Sequence, residues 1–174
     1  ITAIWLLNET AIASSSFPGG VSLVWQIAGV GDVNGDGMAD VVWRNDITGT
    51  VAVWLMNGHT ITSVGFPGST PTDWEIAQIG DVNGDGKADL IWRNTSDGNT
   101  AIWFMNGAAI ASSSFPGGVS LAWQIVEVGD VNGDGKADVI WQNSTSGTVA
   151  VWLMNGFTIG SVGFPASVPS EWNL

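Results

Sequence analysis

GDVNGDGMADVVWRN, residues 31–45, returns as GDVNGDGKADLIWRN at 80–94 and as GDVNGDGKADVIWQN at 129–143. The offset is ~49 residues each time, and a fixed period of that size marks a chain built from stacked copies of one supersecondary unit. The 11 tryptophans obey the same period. Trp5, Trp54, Trp103 and Trp152 form one series, Trp25, Trp74, Trp123 and Trp172 a second, and Trp43, Trp92 and Trp141 a third, with none left over. FPGG, FPGS, FPGG and FPAS keep step from Phe17, Phe66, Phe115 and Phe164. Alternate copies are more alike than neighbours, since AIASSSFPGGVSL recurs from Ala11 to Ala109, which hints at duplication of a two-unit block.

Within a unit, short runs rich in Val, Ile, Trp and Thr are broken by Gly, Asn, Asp or Pro every ~8 to 12 residues, the pattern of antiparallel strands. Four strands fit each unit. In residues 72–120 the expectation is strand a near Trp74 to Ile79, b near Asp89 to Arg93, c near Thr100 to Met105 and d near Ala109 to Phe115. Val51, Val53 and Leu55 alternate with Ala52, Trp54 and Met56, and no helical period appears. The fold expected is therefore all-β, with four-stranded blades of the propeller type. The division is 1–22 as a c–d half blade, 23–71, 72–120 and 121–169 as blades, and 170–174 as the start of another strand a, about three and a half units in all. An open half blade invites pairing. The stub at Trp172 could close onto the N-terminal hairpin or join a neighbouring chain head to tail, so self-association through the half blade is expected. A third reading is that the chain, which starts at Ile1 rather than Met, is an excerpt of a longer propeller.

Formal net charge is −12, and Arg44, Lys87, Arg93 and Lys136 are the four basic residues. A phosphate backbone or an anionic lipid surface would be repelled, so nucleic acid and membrane partners are not expected. Cysteine is absent, which removes disulfides and thiolate metal sites. No apolar run is long enough to span a bilayer as a helix.

The acidity is concentrated. Asp32–Asp40, Asp81–Asp89 and Asp130–Asp138 all read D-V-N-G-D-G-x-A-D, and like charges held that close repel unless a cation intervenes. A hard divalent cation takes six to eight oxygens from carboxylates, amides and backbone carbonyls, and positions one, three, five and nine supply the side-chain share. In the first loop these are Asp32, Asn34, Asp36 and Asp40, with the carbonyl of Met38 at position seven. In the second they are Asp81, Asn83, Asp85 and Asp89 with the carbonyl of Lys87, and in the third Asp130, Asn132, Asp134 and Asp138 with that of Lys136. Gly35 and Gly37 permit the left-handed backbone that curls such a loop around an ion. Without His or Cys the set argues against zinc, and an all-oxygen flexible loop favours calcium over magnesium. Three calcium ions per chain are expected, against the alternative of Asx-turn loops without metal. The twelfth position is Trp43 rather than Glu and both flanks are strands, so the loop is not a helix-loop-helix hand.

G-D-x-N-G-D-G-x-x-D between strands resembles the FG-GAP (VCBS-type) repeat, which includes the blades of integrin α-subunit propellers and many secreted bacterial proteins. The resemblance covers essentially the whole chain, apart from a loop in the N-terminal half unit. It implies a propeller with calcium in the a–b loop of each blade, an extracellular or cell-surface location, and adhesion or ligand binding. W-R-N and W-L-M-N-G are similar to elements of bacterial propeller lectins, which carries a glycan ligand as an alternative to a protein one.

Other residues give no sign of catalysis, and no catalytic residue is expected. His59 has Thr10, Ala108 and Phe157 as register mates and reads as a turn residue. Ser14–Ser16 and Ser112–Ser114 have no base recurring beside them and read as polar edge positions. Asp73, Glu75 and Glu127 are the carboxylates outside the loops that an acid–base pair would draw on, but Glu75 has Gln26 and Gln124 as mates. The tryptophans could stack on sugars, yet their strict period favours packing between blades. Arg44 and Arg93 are expected to be solvated or cross-strand, and the sequons at Asn8, Asn94 and Asn143 to be turn residues. The resulting expectation is a non-catalytic, calcium-stabilised extracellular repeat protein for adhesion or surface structure. A propeller lectin stands second, and an accessory module of a polysaccharide-acting enzyme third.

Overall fold

The computed structural model describes residues 2–8 and 11–169, all as strands and turns. The expected strand a stub at Trp172 lies outside the described residues. β1 (Thr2–Asn8) and β2 (Ala11–Gly19) form a two-stranded hairpin. Three four-stranded antiparallel sheets follow. Blade 1 is β3 (Trp25–Gly31), β4 (Asp40–Asn45), β5 (Thr50–Asn57) and β6 (Thr60–Ser69). Blade 2 is β7 (Trp74–Gly80), β8 (Asp89–Asn94), β9 (Asn99–Asn106) and β10 (Ala109–Gly118). Blade 3 is β11 (Trp123–Gly129), β12 (Asp138–Asn143), β13 (Thr148–Asn155) and β14 (Thr158–Ser167). Each sheet runs a-b-c-d in spatial order, and the strands a sit beside one another, β3 against β7 and β7 against β11. This is the expected all-β architecture of propeller-type blades.

Strands b and c carry the core because they are covered on both faces, in blade 2 by a blade on each side and in blade 1 by blade 2 and the N-terminal hairpin. Every residue of β4 and β8 is buried. In β5 the alternation read from the sequence does not separate core from surface: Val51 and Val53 on one face and Ala52, Trp54 and Met56 on the other are all buried. Strand d is the outer strand and mostly exposed, which places the serine runs at an edge.

The periodic tryptophans fill these interfaces. Trp43 meets Trp54 with ring centroids 4.7 Å apart and planes at 53°, and Trp92–Trp103 and Trp141–Trp152 repeat the geometry. The buried Nε1 atoms of Trp43, Trp92 and Trp141 find no acceptor, so these rings contribute apolar area and not a hydrogen bond. Trp5 departs from its series and is exposed.

W-R-N explains the b–c turn. Asn45 Oδ1 accepts the N–H groups of Ile47 and Thr48, and Asn94 and Asn143 close the equivalent turns. Asn94 is buried and its Nδ2 donates to Asp73 Oδ2 at 3.1 Å, a turn role as expected for that sequon. The side chain of Asn8 lies outside the described residues.

Candidate metal centre

Each acidic loop joins strand a to strand b at one end of its blade. Gly35 and Gly37 take φ of 80° and 83°, and the other two loops repeat these values closely at Gly84, Gly86, Gly133 and Gly135. The loop wraps around its first residue. Asp32 Oδ1 accepts the N–H of Gly35 at 2.7 Å and of Asp36 at 3.2 Å, and Oδ2 accepts that of Gly37 at 2.7 Å. Burial would raise the Asp32 carboxyl, but these backbone donors hold it below its ordinary range. Asp130 is lowered too, chiefly by the N–H of Gly135. Asn34 Oδ1 accepts the N–H of Asp36, and Asp36 Oδ1 that of Met38, in two overlapping Asx turns.

The ninth residue has a second task that spacing did not reveal. Asp40 is fully buried, its Oδ2 accepts the N–H of Val33 at 3.1 Å, and its Oδ1 accepts that of Met56, on strand c, at 2.8 Å. Asp89 binds Val82 and Met105 in the same way, and Asp138 binds Val131 and Met154. The carboxylate therefore clasps loop to sheet. Burial raises the Asp40 carboxyl, and pushes that of Asp89 up to about 7 despite its two N–H partners.

Charge compensation within the described residues is thin. Lys87 approaches Asp85 at 3.8 Å and Lys136 approaches Asp134 at 4.0 Å, each a half-buried lysine beside an exposed carboxylate. In the first loop position seven is Met38, and among the described residues no cationic side chain pairs with Asp32, Asp36 or Asp40. Three carboxylates and an amide in nine residues, one carboxylate wholly buried, form the donor set of a hard cation. The carboxylates are turned onto the loop's own N–H groups, and among the described residues no three of them converge as a formed cage. Each oxygen of Asp40 uses one lone pair on an N–H and keeps another, so the clasp and a cation are compatible. The residues present fit the group.

The loops also touch one another. Asp32 O accepts the N–H of Ala88 at 2.7 Å, and Val33 O accepts that of Gly107, in the c–d turn of the next blade, at 2.7 Å. Asp81 O with Ala137 and Val82 O with Gly156 repeat both contacts. The side chain of Lys87 packs over Gly35 of the preceding loop, and that of Lys136 over Gly84.

Arg44 and Arg93 are buried, not solvated, and they face the next blade. Arg44 Nη1 donates to Gly49 O and to Thr70 Oγ1, Nη2 donates to Pro71 O, and the guanidinium lies 5.1 Å from the Trp92 ring centroid. Arg93 donates to the carbonyls of Gly98, Val119, Ser120 and Trp123 and lies 5.0 Å from that of Trp141.

His59 lies in a c–d turn, where its carbonyl accepts the hydroxyl of Ser16 at 3.1 Å. Glu127 Oε1 accepts the N–H of Val128, and Asp73 holds Asn94. Glu75 lines an open cleft of 560 Å³ between blades 2 and 3, with Arg93, Trp123 and Gln124 among its other walls.

The sequence model of the FG-GAP-like repeat matches residues 32–92 and again residues 81–141. No curated protein matches the chain. Each matched segment runs from one acidic loop, through the next, to the strand b tryptophan beyond it, so the family unit contains the loop-to-loop contact as well as the loop. With the two matches spanning residues 32–141, more than half of its length, the chain belongs to the FG-GAP-like repeat family.

Proposed function

We propose that this chain is a non-catalytic structural or adhesive repeat module whose blades are locked by three calcium ions. The observation that carries the reading is the buried aspartate of each loop, Asp40, Asp89 and Asp138, in a loop with two further carboxylates and little cationic relief. Asp32, Asn34, Asp36, Asp40 and the Met38 carbonyl would hold the first ion. Asp81, Asn83, Asp85, Asp89 and the Lys87 carbonyl would hold the second, and Asp130, Asn132, Asp134, Asp138 and the Lys136 carbonyl the third. A bound ion would supply charge neutralisation and cross-link loop to strand, and three divalent ions would halve the formal charge of −12. No step of chemistry is assigned to it.

Calcium modules of this kind bind at about 10⁻⁴ to 10⁻³ M, far above cytosolic free calcium, which supports an extracellular or cell-surface setting. Elemental analysis of protein dialysed against calcium tests the reading: it expects three calcium ions per chain, and a chain that retains none contradicts it.

The cleft between blades 2 and 3 favours a second reading, in which a sugar is bound beside Trp123 by Glu75 and Gln124. A glycan array in calcium-containing buffer separates the two, since a scaffold shows no saturable sugar binding.

A further inference from the structure

Asn-Gly occurs six times, at residues 34–35, 83–84 and 132–133 in the acidic loops and at 57–58, 106–107 and 155–156 in the c–d turns. In this dipeptide the asparagine side chain is open to attack by the following backbone nitrogen, because glycine sets no Cβ in the way. Within the acidic loops that nitrogen is engaged by the loop itself. The N–H groups of Gly35, Gly84 and Gly133 donate to Oδ1 of Asp32, Asp81 and Asp130 at 2.7, 2.7 and 2.6 Å.

The c–d turns of blades 2 and 3 are secured from outside. Asn106 pairs with Ala109 and Asn155 with Thr158, which closes two-residue turns over Gly107–Ala108 and Gly156–Phe157. Both asparagines are exposed. The N–H of Gly107 donates to Val33 O at 2.7 Å and that of Gly156 to Val82 O at 3.0 Å, and both valines are fully buried in the preceding blade. The amide that would react therefore stands in solvent, while the nitrogen that would attack it is held across a blade interface.

We infer that Asn106 and Asn155 are sites of spontaneous deamidation whose nucleophile is released when the blade carrying the turn separates from the blade before it. The glycine nitrogen loses its proton to hydroxide and bonds to the asparagine Cγ. The Cγ–Nδ2 bond breaks, and the amide nitrogen leaves as ammonia with a proton taken from water. Water then opens the succinimide at Cγ to give aspartate, or at the backbone carbonyl to give isoaspartate, with no change of oxidation state. Isoaspartate adds a methylene to the backbone of a two-residue turn, so the glycine N–H no longer returns to the valine carbonyl in register. Separation of the blades thereby becomes one-way. The inference uses contacts between blades and not the metal reading, so each fails separately.

The interface between blades 2 and 3 offers a selective control. Phe157 stacks on Phe104 of blade 2, with ring centroids 3.8 Å apart and planes 7° from parallel, and Ala108 takes the same turn position in blade 2. Phe157→Ala removes the stack and installs a residue that this turn already carries, so blade 3 keeps its fold, which a dichroism melt checks.

The test is incubation of the whole chain in mildly alkaline, calcium-containing buffer, with deamidation at each asparagine followed by peptide-mapping mass spectrometry and isoaspartate by enzymatic methylation. Both sites are expected to react about tenfold or more slowly than in free peptides of residues 101–111 and 150–160, because only the open population reacts. Phe157→Ala should speed Asn155 by about two- to tenfold, the worth of one stacked aromatic pair, and leave Asn106 at the parent rate. In the parent chain, reaction at each asparagine should rise in step with hydrogen exchange at the following glycine as urea is raised below the unfolding transition, a measurement that needs no variant. Rates equal to those of the peptides, no reaction at either site even in urea, reaction that does not track exchange, or a folded Phe157→Ala chain with Asn155 at the parent rate overturns the inference.

Discussion

The carbonyl oxygen of Asp32 accepts the N–H of Ala88 at 2.7 Å, which ties the first residue of one acidic loop to the eighth residue of the next. Ala88 stands between Lys87, whose carbonyl is a candidate ligand, and Asp89, the buried clasp. A loop that is held in place therefore holds the ligands of its neighbour in place, and Asp81 O with Ala137 passes the constraint on.

Metal binding by adjacent loops is accordingly expected to be coupled. Asp36→Ala, which disables the first loop, should weaken binding at the second by about fivefold, a coupling at the lower end of the usual range. Terbium luminescence titration of the two forms measures it, and three identical independent sites would exclude it while leaving the metal reading intact.

The clasp and the exposed ligand should separate on substitution. Asp89→Asn keeps the shape but sets an amide N–H₂ against a backbone donor in a buried position, a loss of about 1–3 kcal/mol with or without metal. Asp85→Asn retains the acceptor for Lys87 N at an exposed site and should lower stability only in the calcium-loaded form. Urea denaturation in calcium and in chelator distinguishes the two patterns.

Gly80 and Gly129 occupy the same motif position with different neighbours. A Cβ on Gly80 would stand 2.7 Å from Val128 Cγ1 of the next blade, whereas one on Gly129 meets nothing within 4 Å. Gly80→Ala should cost about 1–3 kcal/mol through overpacking, and Gly129→Ala little. Thermal melts of the pair check it.

Arg93 joins blade 2 to blade 3 through four carbonyls and the Trp141 ring. Arg93→Ala leaves those carbonyls without their donor and removes the cation from the indole, an expected loss of about 3 kcal/mol. Arg93→Lys should recover only part of it, because an ammonium cannot fork to several carbonyls while lying flat on a ring. Equal stability of Arg93→Ala and the parent in urea would contradict the assignment.

Strand order and loop placement were legible because the repeat supplied them three times over. Val, Ile and Trp runs between Gly, Asn and Asp left few ways to divide a unit, and β7 to β10 begin within a residue of where the punctuation put them. What a single unit could not show was its relation to the next. Arg93 reads as a surface cation beside a turn until Trp141 is placed over it, and Asp89 reads as one ligand among several until Met105, 16 residues on, is found donating to it. Strand c likewise reads as a two-faced strand, and its second buried face follows only from having a blade on each side. Trp5 shows the same dependence in reverse: its period matches the core series, yet it is exposed, with no strand b against it among the described residues.

Differential scanning calorimetry of the same protein in millimolar calcium and in excess EDTA tests the central claim most directly. With free calcium at 100 times its dissociation constant, each independent site adds about 2.7 kcal/mol, so the melting temperature should fall markedly on chelation and recover when calcium is restored. Superimposable melts in the two buffers would contradict the account.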